Sequence, residues 1–239
     1  MPVSPRRPVP AWIRPLTERL SPTIRNLVIA EAVLFGLYVM VAPLREPILA
    51  HLALGPRLFA GEVWQLGTSL FVHVDPLGFL LGMVGLWFVG ATIERTLGRR
   101  RFLLIFFGSG LVANLVLAGL MVAFATPLRN LGCGDSVLAL FVALGVAYGR
   151  TPVRVWGSLA LPARVLAWIL VAWSVLALVL QAQWPSLLST LVAQGLAYVL
   201  AGGRLGAVGA FLAGLRGKPR GRFDVMDGGR SKRDKKYVN

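Results

Sequence analysis

The chain has 239 residues, of which 15% are charged and 56% hydrophobic, with a mean hydropathy of +0.70. Soluble domains average about a quarter charged residues and just under half apolar ones, so this composition excludes a unit that faces water on all sides. The net charge is nevertheless +15, so the few charges are concentrated in particular places, and the single cysteine, Cys133, excludes an internal disulfide.

The first 26 residues are rich in arginine and proline, and no signal-peptide pattern precedes the first apolar run. Residues 1–26 are therefore expected to form a basic cytoplasmic arm. Six apolar segments follow: Leu27 to Leu44, Gly78 to Ile93, Phe102 to Ala125, Ser136 to Gly149, Val165 to Gln181 and Leu187 to Gly203. A crossing needs about 20 mainly apolar residues, and the second and fourth segments are short for one. The fold class expected is an all-α membrane protein, with residues 27–203 forming the membrane domain. Gly202 to Leu215 reads as an interfacial segment.

Lysine and arginine set the orientation. With the amino end inside, only Arg45, Arg57 and Arg129 of the 25 basic residues fall outside. Both termini are therefore expected in the cytoplasm. Residues 204–239 form a basic tail whose composition suits a disordered segment. That tail is either a determinant of topology or a contact for anionic lipid headgroups.

The loop before the second segment reads Gly61-Glu62-Val63-Trp64-Gln65-Leu66-Gly67-Thr68-Ser69-Leu70-Phe71-Val72-His73, and the segment closes on Gly90, Glu94 and then Gly98. Trp64 suits the membrane interface, Glu94 can meet a cation among Arg95 and Arg99 to Arg101, and Gly90 and Gly98 let backbones approach. This order of Trp64, Thr68, Phe71, His73, Gly90, Glu94 and Gly98 resembles the rhomboid family of intramembrane serine proteases. The resemblance runs from about Leu27 to Gly203. It implies a six-transmembrane-helix rhomboid-like bundle with both ends inside, transmembrane segments of other proteins as partners, and a place in a bacterial inner (plasma) membrane.

The chemistry the family needs does not carry over. Its second histidine and its asparagine on the second helix, which stabilise the oxyanion, fall on Gly78 and Gly82. Its nucleophile motif Gly-x-Ser-Gly meets Gly132-Cys133-Gly134-Asp135-Ser136-Val137 in two registers. In one the serine position holds Gly134. In the other Ser136 is the candidate nucleophile and Val137 replaces a glycine. Asp135 or Ser136 also suits a helix cap. The histidine of the sixth helix corresponds to Gln194, with Ala197 and Ala201 at the two glycine positions. A glutamine cannot accept a proton near neutral pH.

The two histidines, His51 and His73, both precede the third segment. His73 matches a structural residue of the family, and His51 reads as a solvated loop residue. Glu31 lies in the first segment, near its cytoplasmic end, and is expected to snorkel toward water or pair with Arg25. No metal-ligand spacing, cofactor motif, phosphate loop or nucleic-acid module is visible. The expected function is that of a pseudoprotease that binds transmembrane client segments without cleaving them. The alternatives are an intramembrane serine protease using Ser136 and, third, a lipid or small-molecule transporter, for which no internal repeat speaks.

Overall fold

The computed structural model describes residues 21–125, 130–156 and 159–203. The arm through residue 20, Arg129, and the tail with most of the expected interfacial segment lie outside those residues. The first helix, α1, runs Pro22–Met40. Its start is set by Ser21, whose side chain accepts from the Ile24 amide at 3.2 Å, and by Pro22 in the first turn. The helix therefore begins before Leu27 and takes in the last residues of the expected arm.

Residues 41–75 form a folded loop rather than an extended one. It holds the short helices α2 (Arg45–His51) and α3 (Gln65–Thr68), with 3-10 turns at Ala42–Leu44, Pro56–Ala60 and Ser69–Phe71. Asp75 then caps α4 (Pro76–Gly85) by accepting from the Gly78 amide. A π-helical turn, Leu86–Gly90, continues α4 into α5 (Ala91–Leu97), giving one 22-residue helix, Pro76–Leu97. The second segment is thus full length, because the cap lies before its apolar run. Gly98, at φ +85°, breaks the helix and starts α6 (Arg99–Phe124). A left-handed residue here favours glycine, so Gly98 serves the turn; no side chain crowds it.

The helix α7 (Gly134–Tyr148), at the expected fourth span, has 15 residues. At 1.5 Å per residue it is about 22 Å long, short of the roughly 30 Å hydrocarbon core. The basic loop after it is a two-stranded antiparallel hairpin, β1 (Pro152–Trp156) and β2 (Leu159–Pro162), with an irregularity between Arg154 and Trp156. Two helices complete the bundle, α8 (Ala163–Leu180) and α9 (Trp184–Leu200). Four of the helices are long and apolar enough to cross a membrane: α1, α4–α5, α6 and α8. The shorter α7 and α9 are also apolar. The chain is an all-α membrane protein in which the hairpin is a minor exception.

Contacts at the helix ends fit an up-and-down order. On one side Ser21 donates its hydroxyl to Glu94, and the Thr96 and Tyr148 hydroxyls meet at 2.7 Å. On the other, Leu54 and Asn130 form an antiparallel bridge. Glu94 therefore finds the Ser21 hydroxyl, and no arginine among the described residues pairs with it.

The core is built where α5, α6, α7 and α9 meet, around Leu86, Ile93, Phe102, Phe106, Leu140 and Ala197. Small residues set the spacing between helices. A methyl group added to Gly85 would lie 2.4 Å from Val137 Cγ1, one on Gly90 3.1 Å from Ile24 Cδ1, and one on Gly145 2.8 Å from Ala167 Cβ. In α8, which packs along α7, only Ala163 and Ala167 are buried, so much of that helix has its side chains outside the core.

Candidate functional site

A cavity of about 1100 Å³ opens between α4–α5 and α8, over the face of α7. Apolar side chains such as Leu81, Phe88, Phe141, Leu170 and Trp173 form its walls. Its polar residues include Asp135, Gln183, Ser186 and Thr190. Leu81, Phe88 and Trp173 are also more than half exposed on the protein surface, so the cavity mouth faces the lipid side of the bundle. It lies between the second and fifth apolar segments of the sequence.

The candidate catalytic residues are distributed unevenly around this cavity. Gly134, the first residue of α7, lines it, and open space surrounds the position a side chain there would take. Ser136 points the other way. Its hydroxyl is fully buried without a hydrogen-bond partner. It presses on α6, where a methyl group on Gly110 would lie 2.5 Å from Ser136 Oγ. Helical spacing explains the difference, since positions 134, 137, 138 and 141 share the cavity face.

Gln194 and Thr190, one turn apart on α9, both reach the start of α7. Gln194 Nε2 donates to the Asp135 carbonyl at 3.2 Å, and Thr190 Oγ1 donates to Asp135 Oδ1 at 2.8 Å. Gln194 Oε1 is buried without a partner. These bonds tie two short helices together at the cavity floor. Sequence reading placed Gln194 here but missed Thr190, whose position one turn before Gln194 was the available signal.

Gly78 and Gly82, which the resemblance is expected to place where the family has its oxyanion donors, each face a close neighbour. Gly78 lets Asp75 cap α4 at close range, for a methyl group there would lie 2.5 Å from Asp75 Oδ2. Gly82 faces Cys133 and His73, and a methyl group on it would be 3.0 Å from Cys133 Sγ and 3.5 Å from His73 Nε2.

The loop residues of the motif act as fasteners. Trp64 Nε1 donates to the His51 carbonyl at 2.9 Å, and Thr68 Oγ1 donates to the Leu52 carbonyl at 2.8 Å. Phe71 packs a tilted ring on Phe107 of α6. Asn114 of α6 donates to both the Leu66 carbonyl and Ser69 Oγ, at 2.7 and 2.8 Å, and accepts from Asn130 at 2.8 Å. His51 is not a solitary loop residue: its Nδ1 lies 2.9 Å from Glu62 Oε1, and Arg57 approaches its ring at 3.2 Å. Desolvation alone would raise the Glu62 pKa, but hydrogen bonds with His51 and Gln65 and the charges of His51 and Arg57 outweigh it and hold the carboxyl below its ordinary value.

Glu31 departs most from expectation. It sits in the middle of α1, is fully buried, and its Oε2 lies 3.5 Å from Cys133 Sγ. Its neighbours are Cys133 and His73, and no ion pair with Arg25 forms among the described residues. His73 Nε2 in turn lies 3.6 Å from Cys133 Sγ, and burial pushes the imidazole pKa down.

Comparison with known proteins adds the lineage. Residues 60–202 match the family model for the rhomboid domain. The chain is 30% identical over 81 residues, 34% of its length, to a Bacillus subtilis protein named "Putative rhomboid protease YdcA", covering 39% of that protein. It is 28% identical over 102 residues to rhomboid-like protease 2 of Toxoplasma gondii, covering 42% of this chain and 35% of the relative. It is 34% identical over 55 residues to rhomboid protease GluP of Bacillus subtilis, covering 23% of this chain and 11% of that protein. The matched segments thus span well under half of each relative. With the motif order, the helix order and a family match over more than half of the sequence, the chain belongs to the rhomboid family of integral, multi-pass membrane proteins.

Proposed function

We propose that this rhomboid-family protein is a pseudoprotease that holds transmembrane segments of client proteins in the gap between α4–α5 and α8 without cutting them. The observation that carries this reading is the direction of Ser136. Its hydroxyl is buried against α6, whereas the residue facing the cavity is Gly134, which has no nucleophile. The group on α9 that faces the α7 terminus is an amide rather than an imidazole, and the oxyanion positions are glycines. An apolar cavity beside α8, most of whose side chains lie outside the core, is suited to an apolar helix entering from the bilayer.

The second reading, an intramembrane serine protease with Ser136 as nucleophile, is favoured by the names of the relatives. It requires Ser136 to leave its pocket and find a base. Removing the base of a catalytic triad costs several orders of magnitude in rate, so Gln194 argues against it. A transporter reading has no supporting repeat.

The test is cleavage of a generic rhomboid substrate in liposomes, with wild type beside Ser136→Ala. Cleavage by wild type that the variant loses would establish the protease. Absence of cleavage in both, with site-specific crosslinks from α8 to a bound transmembrane peptide, would support the pseudoprotease.

Placement in the membrane belongs to the same proposal. The basic bias supports cytoplasmic termini, a basic tail near anionic headgroups and, by family, a bacterial inner membrane. Thiol-reagent access to a cysteine introduced at either terminus, from intact cells and inverted vesicles, tests the orientation.

A further inference from the structure

Three side chains with metal-binding atoms meet in the interior although they are far apart in sequence. Glu31 comes from the middle of α1, His73 from the loop before α4, and Cys133 from the residue before α7. Cys133 is separated from them by 102 and 60 residues. One ligand atom of each lies within 4.8 Å of the other two, and all three residues are buried. Two of the three separations are 3.5 Å (Sγ to Oε2) and 3.6 Å (Sγ to Nε2).

Those distances have a specific meaning. A tetrahedral zinc ion holds its ligands at about 2.0–2.3 Å, which places ligand atoms about 3.3–3.8 Å from one another. The two edges given above already have that length. A polar atom is also left wanting: Glu31 Oε1 is buried without a hydrogen-bond partner. A buried carboxylate in this state carries a penalty that a cation would remove.

Space for an ion is built in as well. A methyl group on Gly82 would lie 3.0 Å from Sγ and 3.5 Å from Nε2, and one on Gly132 would lie 3.4 Å from Nε2. Two glycines therefore keep side-chain atoms away from the side of the cluster where the ligand atoms converge. Both also line the large cavity, which gives a hydrated ion a way in.

We infer that Glu31, His73 and Cys133 form a binding site for a zinc-class divalent cation, coordinated by a carboxylate oxygen, Nε2 and Sγ. The thiolate excludes magnesium and calcium, which take oxygen ligands, and the carboxylate disfavours cuprous copper. Binding releases the thiol proton, and the carboxyl proton where one is present, to solvent. The dipositive ion with one thiolate, one carboxylate and a neutral imidazole has zero net charge, as a site inside a membrane bundle requires. A fourth position is left for water or Glu31 Oε1. The ion would fasten α1, the least buried of the long spans together with α8, to the loop before α4 and the start of α7. This inference is independent of whether the protein cuts or only binds its clients.

The test uses the full chain purified in detergent, freed of metal with a chelator, and titrated with Co2+ as a coloured substitute. One equivalent per chain with thiolate-to-cobalt absorption, displaced by Zn2+, is the expected result. Cys133→Ser should lose that absorption, and Glu31→Gln should weaken Zn2+ binding at least ten-fold. Folded wild type without thiolate-to-cobalt absorption would overturn the site, as would Zn2+ affinity unchanged in both variants. The wild-type spectrum decides the matter even where a variant does not fold. Protection of Cys133 from alkylation by Zn2+ separates a ligand from a free reactive thiol, and no protection would count against the site.

Discussion

Gly110 on α6 and Ser136 on α7 are in such close contact that a methyl group on the glycine would lie 2.5 Å from the serine hydroxyl oxygen. The same methyl group would be 2.6 Å from Leu70 Cδ2. Gly110→Ala is therefore expected to lower stability by about 1–3 kcal/mol, the usual range for overpacking. Ser136→Ala should do the reverse or nothing. It removes a buried hydroxyl without a partner, whose desolvation costs about 1–3 kcal/mol. The double variant should recover part of the Gly110→Ala loss, and thermal unfolding in detergent measures all three. A large loss on Ser136→Ala would mean that the hydroxyl has a partner in solution.

Much of this architecture can be read from the sequence, and the reasons for the remainder are physical. Runs of apolar residues locate the four helices long enough to cross a membrane and the two shorter apolar helices α7 and α9, and the motif from Trp64 to Gly98 locates the folded loop and the turn after α5. Helix ends were displaced because caps sit outside the apolar runs, as Ser21-Pro22 and Asp75-Pro76 do. The direction of Ser136 follows from helical spacing once α7 is known to start at Gly134, but the two motif registers leave that start open. The meeting of Glu31 with Cys133 depends on packing between elements 102 residues apart, and no local pattern encodes it. The sequence reading found no metal-ligand spacing for the same reason.

Gly82 and Cys133 should be energetically coupled. Gly82→Ala places a methyl group 3.0 Å from Cys133 Sγ, so it is expected to destabilise the fold by about 1–2 kcal/mol. Cys133→Ala shortens the opposing side chain and should relieve most of that loss in the double variant. A double-mutant cycle on unfolding midpoints should give a coupling of about 0.5–3 kcal/mol. Simple additivity would show that the two residues move apart freely.

The loop around Glu62 should loosen in acid. Its carboxyl is held below the usual value, so the folded state binds a proton less readily than the unfolded chain does. The stabilisation it gives is present above the unfolded value of about 4.5 and is lost as pH falls through the lower, folded value. Trp64, hydrogen-bonded to the His51 carbonyl, reports on this loop. The fluorescence difference between wild type and Trp64→Phe should therefore change below about pH 4.5, and Glu62→Gln should remove that step. A step that persists in Glu62→Gln would assign it to another carboxyl group.

Gly134 offers the most direct examination of the proposed pseudoprotease reading. Its side-chain position opens on the cavity with nothing within 4 Å, so Gly134→Ser should fold with a change in stability within about 0.5 kcal/mol, as at an unstrained exposed position. Adding Gln194→His would place an imidazole on the α9 face that now donates to the Asp135 carbonyl. The double variant is expected to label with a fluorophosphonate where wild type and Ser136→Ala do not. Substrate turnover should remain about 100- to 1,000-fold below that of an enzyme with a complete oxyanion site, because positions 78 and 82 still lack donors. Labelling of wild type that disappears in Ser136→Ala would instead return the nucleophile to Ser136. In that case α7 must rotate in solution to release the hydroxyl from Gly110 and Leu70, and Gly110→Ala, which blocks its pocket, should then raise labelling rather than abolish it.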